Sequence, residues 1–144
     1  MFIGEYRHSI DAKGRLAVPT KYRKQLEKGA VVTRGLDRCL TIYPAESWKE
    51  LAGKLASLPI SKSNPRSFAR FLLAGAMDVE LDKQGRIIIP EYLRQFAGVA
   101  KSVVVAGLYD RLEVWDADAW ERYRMHAEQG SEAIAEALDG EMGI

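Results

Sequence analysis

Cysteine is almost missing from this 144-residue chain, with Cys39 its only example. A lone thiol makes no internal disulfide and no multi-thiolate metal site, so the fold must rest on its core. Histidine is nearly as scarce: His8 falls on the inward side of a strand pattern and His126 stands alone on a terminal helix. No catalytic pair is visible, and Cys39, near a strand start with no basic motif beside it, reads as a buried small hydrophobe. Phosphate-binding glycine loops and metal-ligand spacings are also lacking. No apolar run could span a membrane, and Met1 to Arg7 lacks the basic end, apolar run and cleavage site of a secretory leader. These absences argue against an enzyme, a cofactor, a small-molecule substrate or a membrane partner, and they make the cytoplasm the expected compartment.

What is present suits one compact body, since 47% of residues are hydrophobic and 28% charged. Net charge is only +1, but it is unevenly spread. Residues 1–50 hold ten Lys or Arg against six Asp or Glu, whereas residues 117–144 hold two against seven. Attraction to phosphate follows local potential, so the N-terminal half is the more favourable for an anionic partner.

The chain repeats itself. Asp11-Ala12-Lys13-Gly14-Arg15-Leu16-Ala17-Val18-Pro19 returns as Asp82-Lys83-Gln84-Gly85-Arg86-Ile87-Ile88-Ile89-Pro90, and Val31 to Leu36 returns as Val103 to Leu108. Leu40 then matches Leu112, Ile42 matches Val114 and Trp48 matches Trp120. A duplicated unit implies a pseudo-twofold fold. The offset grows from 71 residues at the motif to 72 at the later strands, which places a one-residue slip in a turn between them.

Within each repeat the pattern is β-α-β. Phe2, Tyr6 and Ile10 alternate with Glu5, Arg7 and Ser9, and Met77, Val79 and Leu81 alternate with Asp78, Glu80 and Asp82, the period of a half-buried strand. Asp favours the first position of a type I turn and Gly the fourth, so Asp11–Gly14 and Asp82–Gly85 should each reverse the chain into a hairpin. Pro19 and Pro90 open short helices carrying Tyr22, Arg23 and Leu26 or Leu93, Arg94 and Phe96. Strands follow around Val31–Thr33, Leu40–Tyr43, Ser102–Val105 and Leu112–Trp115, with Gly35 and Gly107 at the connecting turns. Between the repeats, Trp48, Leu51, Leu55 and Leu58, then Phe68, Phe71 and Leu72, predict two helices around a loop from Pro59 to Pro65. A last helix starts near Ala117, carries Trp120 and Tyr123 on one face, and runs into the acidic segment Glu128 to Asp139. Trp48, Trp115 and Trp120 read as anchors of helices to the body of the fold, with base-stacking platforms as the alternative.

The repeated Asp-x-x-Gly-Arg has two readings. Asp11, Gly14, Asp82 and Gly85 read as turn scaffold, with the arginines paired to carboxylates. Alternatively, Arg15 and Arg86, just beyond exposed tips, present planar forks to phosphates or a guanine edge. Arg7 and Lys13 would join Arg15 in a basic cluster, or else are solvated charges. Lys83 and Arg86 sit amid Asp78, Glu80 and Asp82, so the first repeat is the more hospitable to phosphate.

At these residues the chain resembles the MraZ family, whose defining feature is a duplicated Asp-x-x-x-Arg motif, here Asp11 to Arg15 and Asp82 to Arg86, and whose opening looks like Phe2-Ile3-Gly4-Glu5-Tyr6. The resemblance covers almost the whole chain. It implies an α+β fold: an AbrB-like swapped-hairpin β-barrel of two repeats, residues 5–47 and 76–119, with a helical connector over 48–75 and a C-terminal helix and acidic tail over 120–144. It implies a ring-shaped homo-oligomer that binds direct repeats of double-stranded promoter DNA and regulates, usually by repression, the bacterial cell-division and cell-wall gene cluster, in the cytoplasm at the nucleoid. Arg15 and Arg86 would face the DNA. A protein-interaction module related to AbrB-like antitoxins, using the tail Glu128 to Glu141, is the alternative.

Overall fold

The computed structural model describes residues 1–138 and 140–141. Its strands are β1 (Phe2–Ser9), β2 (Arg15–Ala17), β3 (Ala30–Arg34), β4 (Leu40–Pro44), β5 (Met77–Val79), β6 (Arg86–Ile88), β7 (Ser102–Tyr109) and β8 (Leu112–Asp116). Its α-helices are α1 (Arg23–Leu26), α2 (Ala45–Ala56), α3 (Ser63–Gly75), α4 (Glu91–Ala97), α5 (Ala117–Gln129) and α6 (Ser131–Ala137). Repeat one contributes β1 to β4 and repeat two contributes β5 to β8, so the fold is the α+β, swapped-hairpin arrangement.

One antiparallel sheet runs β1-β7-β8-β4-β3-β5 and a two-stranded ribbon pairs β2 with β6. Exchange the repeats and the sheet order reads the same backwards. The first strand of each repeat pairs with the third strand of the other, and β4 meets β8 in the centre. The pseudo-twofold axis therefore passes through the equivalent pairs Thr41↔Glu113 and Leu16↔Ile87.

This topology corrects the expectation of two local hairpins. Each turn reverses the chain, but β1 and β2 form no ladder together beyond the isolated Ile10↔Leu16 bridge at the turn, while all eight residues of β1 pair with β7. Turn chemistry dictates the reversal and not the partner; the long cross-repeat ladder supplies the partner. The core lies between sheet, ribbon and short helices. Leu16, Val18, Tyr22, Ile87, Ile89 and Leu93 are all within 1% of full burial there. Tyr22 stands edge-on to Phe2 at 5.3 Å and to Tyr6 at 5.6 Å between centroids, and its hydroxyl donates to the Ile3 carbonyl.

Other details differ from the sequence pattern. Pro19 sits just before a 3-10 turn, Thr20–Tyr22, that leads into α1, and Pro90 just before α4, with extended ψ of 133° and 149°, which suits a residue lacking an N–H. Between helix and strand, repeat one uses residues 27–29 and repeat two residues 98–101, which is where the one-residue slip resides. Pro65 lies inside the first turn of α3, where its missing donor costs nothing, so the inter-helix loop ends at Lys62. The C-terminal helix breaks at Gly130 into α5 and α6; Asp139 of the acidic segment and residues 142–144 lie outside the described residues. Trp48 packs tilted against Tyr43, and Trp115 packs edge-on against Trp120 and tilted against Tyr123, each within 5.7 Å between centroids.

Gly35 does mark a turn, but Gly107 lies inside β7, facing Gly4 of β1. A Cβ on Gly107 would sit 2.5 Å from the Ile3 nitrogen and 2.7 Å from the Phe2 carbonyl carbon. The glycine is thus required by backbone approach. Among the described residues, no helix is long and apolar enough to cross a membrane.

Gly107→Ala should lower stability by about 1–3 kcal/mol, because the clash is with backbone and β1 must shift. Gly53→Ala, in α2 with nothing within 4 Å of the added carbon, should raise it by about 1 kcal/mol. Urea denaturation of both variants checks the pair.

Candidate functional site

The two motif turns have the same internal wiring. In the first, Asp11 Oδ1 accepts the backbone N–H groups of Lys13 at 3.0 Å and Arg15 at 2.9 Å, and Oδ2 accepts Arg15 Nε at 2.5 Å. In the second, Asp82 Oδ1 accepts the N–H groups of Gln84 and Arg86 and Oδ2 accepts Arg86 Nε, all at 2.9 Å. The Gly14 and Gly85 N–H groups close the turns on the Asp11 and Asp82 carbonyls at 2.9 and 3.0 Å. One aspartate thereby folds the turn and aims the arginine.

The aim matters more than the energy. Exposed ion pairs of this kind add little to stability, because water screens them. Engagement through Nε, however, leaves both Nη groups of the fork available, and for Arg15 and Arg86 these have no hydrogen-bond partner among the described residues. The arginine side chains are 34% and 29% exposed, so neither is sequestered. An end-on pair of Nη donors matches a phosphate or the O6/N7 edge of guanine.

Position follows from strand alternation. Leu16 and Ile87 point inward at the centre of the ribbon, so Arg15, Ala17, Arg86 and Ile88 share its outer face. Arg15 opposes Ile88 and Arg86 opposes Ala17, which makes the two arginines diagonal neighbours about 7–8 Å apart. Lys13 and Lys83 are exposed at the two tips. Arg7 is not brought into this group: it lies on β1 opposite Val104, and its guanidinium pairs with Glu121 of α5 at 3.4 Å.

Two further arginines, expected from the sequence only as helix residues, belong to the site. Arg23 Nε donates to the Val18 carbonyl and Arg94 Nε to the Ile89 carbonyl, both at 2.9 Å. Each lies against the turn of the opposite repeat. A Cβ on Gly14, whose φ is +85°, would meet the Ile89 carbonyl at 2.6 Å and Arg94 Nε at 2.9 Å; one on Gly85, φ +76°, would meet the Arg23 guanidinium. The turns demand glycine twice over, by conformation and by the arginine occupying the space. The available signal was the spacing: Arg23 and Arg94 are 71 residues apart, the offset of the motifs themselves.

The remaining titratable candidates show no paired chemistry. His8 is half-buried, and burial first and Arg23 second hold its imidazole below the ordinary 6.5. Cys39 is fully buried, its thiol donates to the Leu36 carbonyl at 3.2 Å, and burial pushes its pKa up. Among the described residues no group of three or more His, Cys, Asp or Glu could hold a metal ion.

Comparison with known proteins identifies a family. A family model described as "MraZ protein, putative antitoxin-like" matches twice, over residues 1–71 and 72–141. The chain is 49% identical over 138 residues to a protein of Natranaerobius thermophilus, with 96% of each chain covered, and 48% identical over 144 residues to one of Halothermothrix orenii, with all of both covered. A protein of Acetivibrio thermocellus is 49% identical with 96% of each covered. Each of the three is named a transcriptional regulator.

The Asp11 and Asp82 carboxyls are held below the ordinary 3.8, chiefly by the backbone N–H of Arg15 or Arg86 and further by that residue's side chain. A depressed folded-state pKa gives stability that is complete above the unfolded value and lost as pH falls through the folded one. Carboxyl NMR should show both groups titrating below 3.8, and an Asp11→Asn/Asp82→Asn variant should lose less stability than the native protein on acidification through that range. Ordinary titration of both would contradict the wiring.

Proposed function

The chain belongs to the MraZ family, and from that membership we propose that it is a DNA-binding transcriptional regulator whose reading surface is the outer face of the β2–β6 ribbon. The observation that carries the proposal is the placement of Arg15 and Arg86 on that one face, each held by its own aspartate with its Nη groups unpartnered among the described residues. The major groove of B-DNA admits a two-stranded ribbon, and a bidentate arginine on guanine is its commonest specific contact. Lys13 and Lys83 at the tips serve the flanking phosphates. Residues 5–47 and 76–119 are then the two reading repeats, 48–75 their connector, and 120–144 the C-terminal helix and tail.

One ribbon with two arginines contacts few base pairs, so useful affinity calls for several copies. In our reading the chain forms a ring-shaped homo-oligomer whose ribbons engage successive direct repeats of a promoter, and avidity multiplies a weak unit. Head-to-tail neighbours in a ring present their reading faces in the same sense, which suits direct repeats better than a palindrome. The promoter of the bacterial cell-division and cell-wall gene cluster is the proposed target and repression the proposed outcome, in the cytoplasm at the nucleoid.

Gel shifts on promoter DNA test this. Arg15→Ala and Arg86→Ala should each weaken binding by about 1–3 kcal/mol per lost base-edge pair, with the fold retained. Normal binding by both folded variants would overturn the assignment of the ribbon. The logarithm of affinity should fall with the logarithm of salt concentration at about −0.9 per phosphate neutralised, and a flat profile would count against DNA. Cutting the target to one box should weaken binding far more than one box's share; equal affinity per box would refute the multivalent ring.

A further inference from the structure

We propose that Ile88 reads the 5-methyl group of a thymine beside the guanine taken by Arg15, and so gives each ribbon a direction on DNA. The inference rests on the ribbon reading above and deepens it by naming a specificity-determining side chain. The outer face of the ribbon consists of Arg15 and Ala17 from β2 and Arg86 and Ile88 from β6. Ile88 is the one large apolar side chain among these four and is 60% exposed, while Ile87 and Ile89 on either side of it are fully buried. The core takes its contacts from the inward positions and leaves Ile88 facing out. Its apolar surface leaves water only when something meets the ribbon.

Its place decides what that something is. Ile88 stands directly opposite Arg15, so their Cβ atoms are about 5 Å apart, one to two base-pair steps of about 3.4 Å. Arg86 lies two residues back along the same strand and on the same face. An apolar side chain set between two guanine readers in the major groove meets base edges whose hydrogen-bonding groups it cannot satisfy. The methyl of thymine is the apolar group on offer there, and apolar contact is how it is recognised.

The pseudo-twofold makes this reading one-sided. The counterpart of Ile88 in repeat one is Ala17, opposite Arg86, and its single methyl group reaches less far from the strand. The flanks differ in the same sense. At the Arg86 end, Arg23 sets the first repeat's helix against the Gly85 turn, and Lys21 and Lys24 are exposed beside it; at the Arg15 end, Arg94 sets α4 against the Gly14 turn, with Glu91 exposed. One end thus pairs its arginine with an apolar reader, and the other pairs it with cations for phosphate. Two arginines related by a twofold would by themselves suit a palindrome. Ile88 and Ala17 turn that into a box with a head and a tail, which is what a direct repeat requires.

Gel shifts of the full chain on promoter DNA made with thymine or with deoxyuridine test the contact, because uracil lacks the methyl and keeps every hydrogen-bonding group. Wild type should bind the uracil duplex about fourfold more weakly per engaged box, the loss expected of one buried methyl group. Ile88→Ala should bind the two duplexes alike, with circular dichroism and native mass unchanged, and Ile88→Val, which keeps the β-branch, should fall between. Exchanging the pair, Ala17→Ile/Ile88→Ala, should move the sensitive thymine to the opposite half of the box when uracil is placed in one half at a time. Equal affinity of wild type for the two duplexes would overturn the proposal and leave the ribbon reading standing. Failure of wild type to bind either would remove both. An Ile88→Ala variant that keeps the wild-type ratio would assign the methyl contact to another residue, and one that loses native mass would make Ile88 a contact between chains; either result overturns the proposal.

Discussion

Neither motif turn can be completed by its own repeat. The Gly14 carbonyl receives the N–H of Ile89 at 2.7 Å, and the Gly85 carbonyl receives the N–H of Val18 at 3.0 Å. Arg94 fills the space beside Gly14 and Arg23 the space beside Gly85. Everything at the candidate site inherits its position from this mutual closure. The ribbon is only three residues deep, so without the opposite turn at each end it would be too short to hold two arginines in register. Because both repeats lie in one chain, the pairing is intramolecular and its effective concentration is set by the α2–α3 connector.

That constraint explains what could and could not be read from the sequence. The duplication, the Asp-x-x-Gly-Arg turns, the buried alternation through Leu16 and Ile87 and the paired helices of the connector are local patterns, and local patterns survive translation into structure. Which strand pairs with which is not local. Asp11 and Gly14 reverse the chain with the expected i to i+3 hydrogen bond, yet β2 finds β6 across the molecule. Gly107 looked like a turn because glycine usually is one; its actual reason is a backbone in β1 that comes too close for any side chain. Arg23 and Arg94 resembled ordinary helix arginines because their partners are carbonyls of distant residues.

The site itself was half legible. Arg15 and Arg86 could be singled out from their place after the turn, but their orientation depends on Nε being held by the preceding aspartate. Charge counting placed Arg7 with them, whereas tertiary structure gives it to Glu121 on α5. Sequence charge also made the second repeat look less hospitable, while the pseudo-twofold places both arginines on one face. Backbone donors hold the carboxylate that steers each arginine below the ordinary carboxylate range, so the steering is independent of pH near neutrality.

The central claim is that the same two guanidinium groups are anchored on one edge and open on the other, and that DNA takes the open edge. Labelling with an arginine-selective dicarbonyl, which condenses with the Nη groups, read out by peptide mass spectrometry, tests it at any assembly size. Arg15 and Arg86 should be modified in the free protein and protected when promoter DNA is bound. Equal modification of both with and without bound DNA would contradict the account.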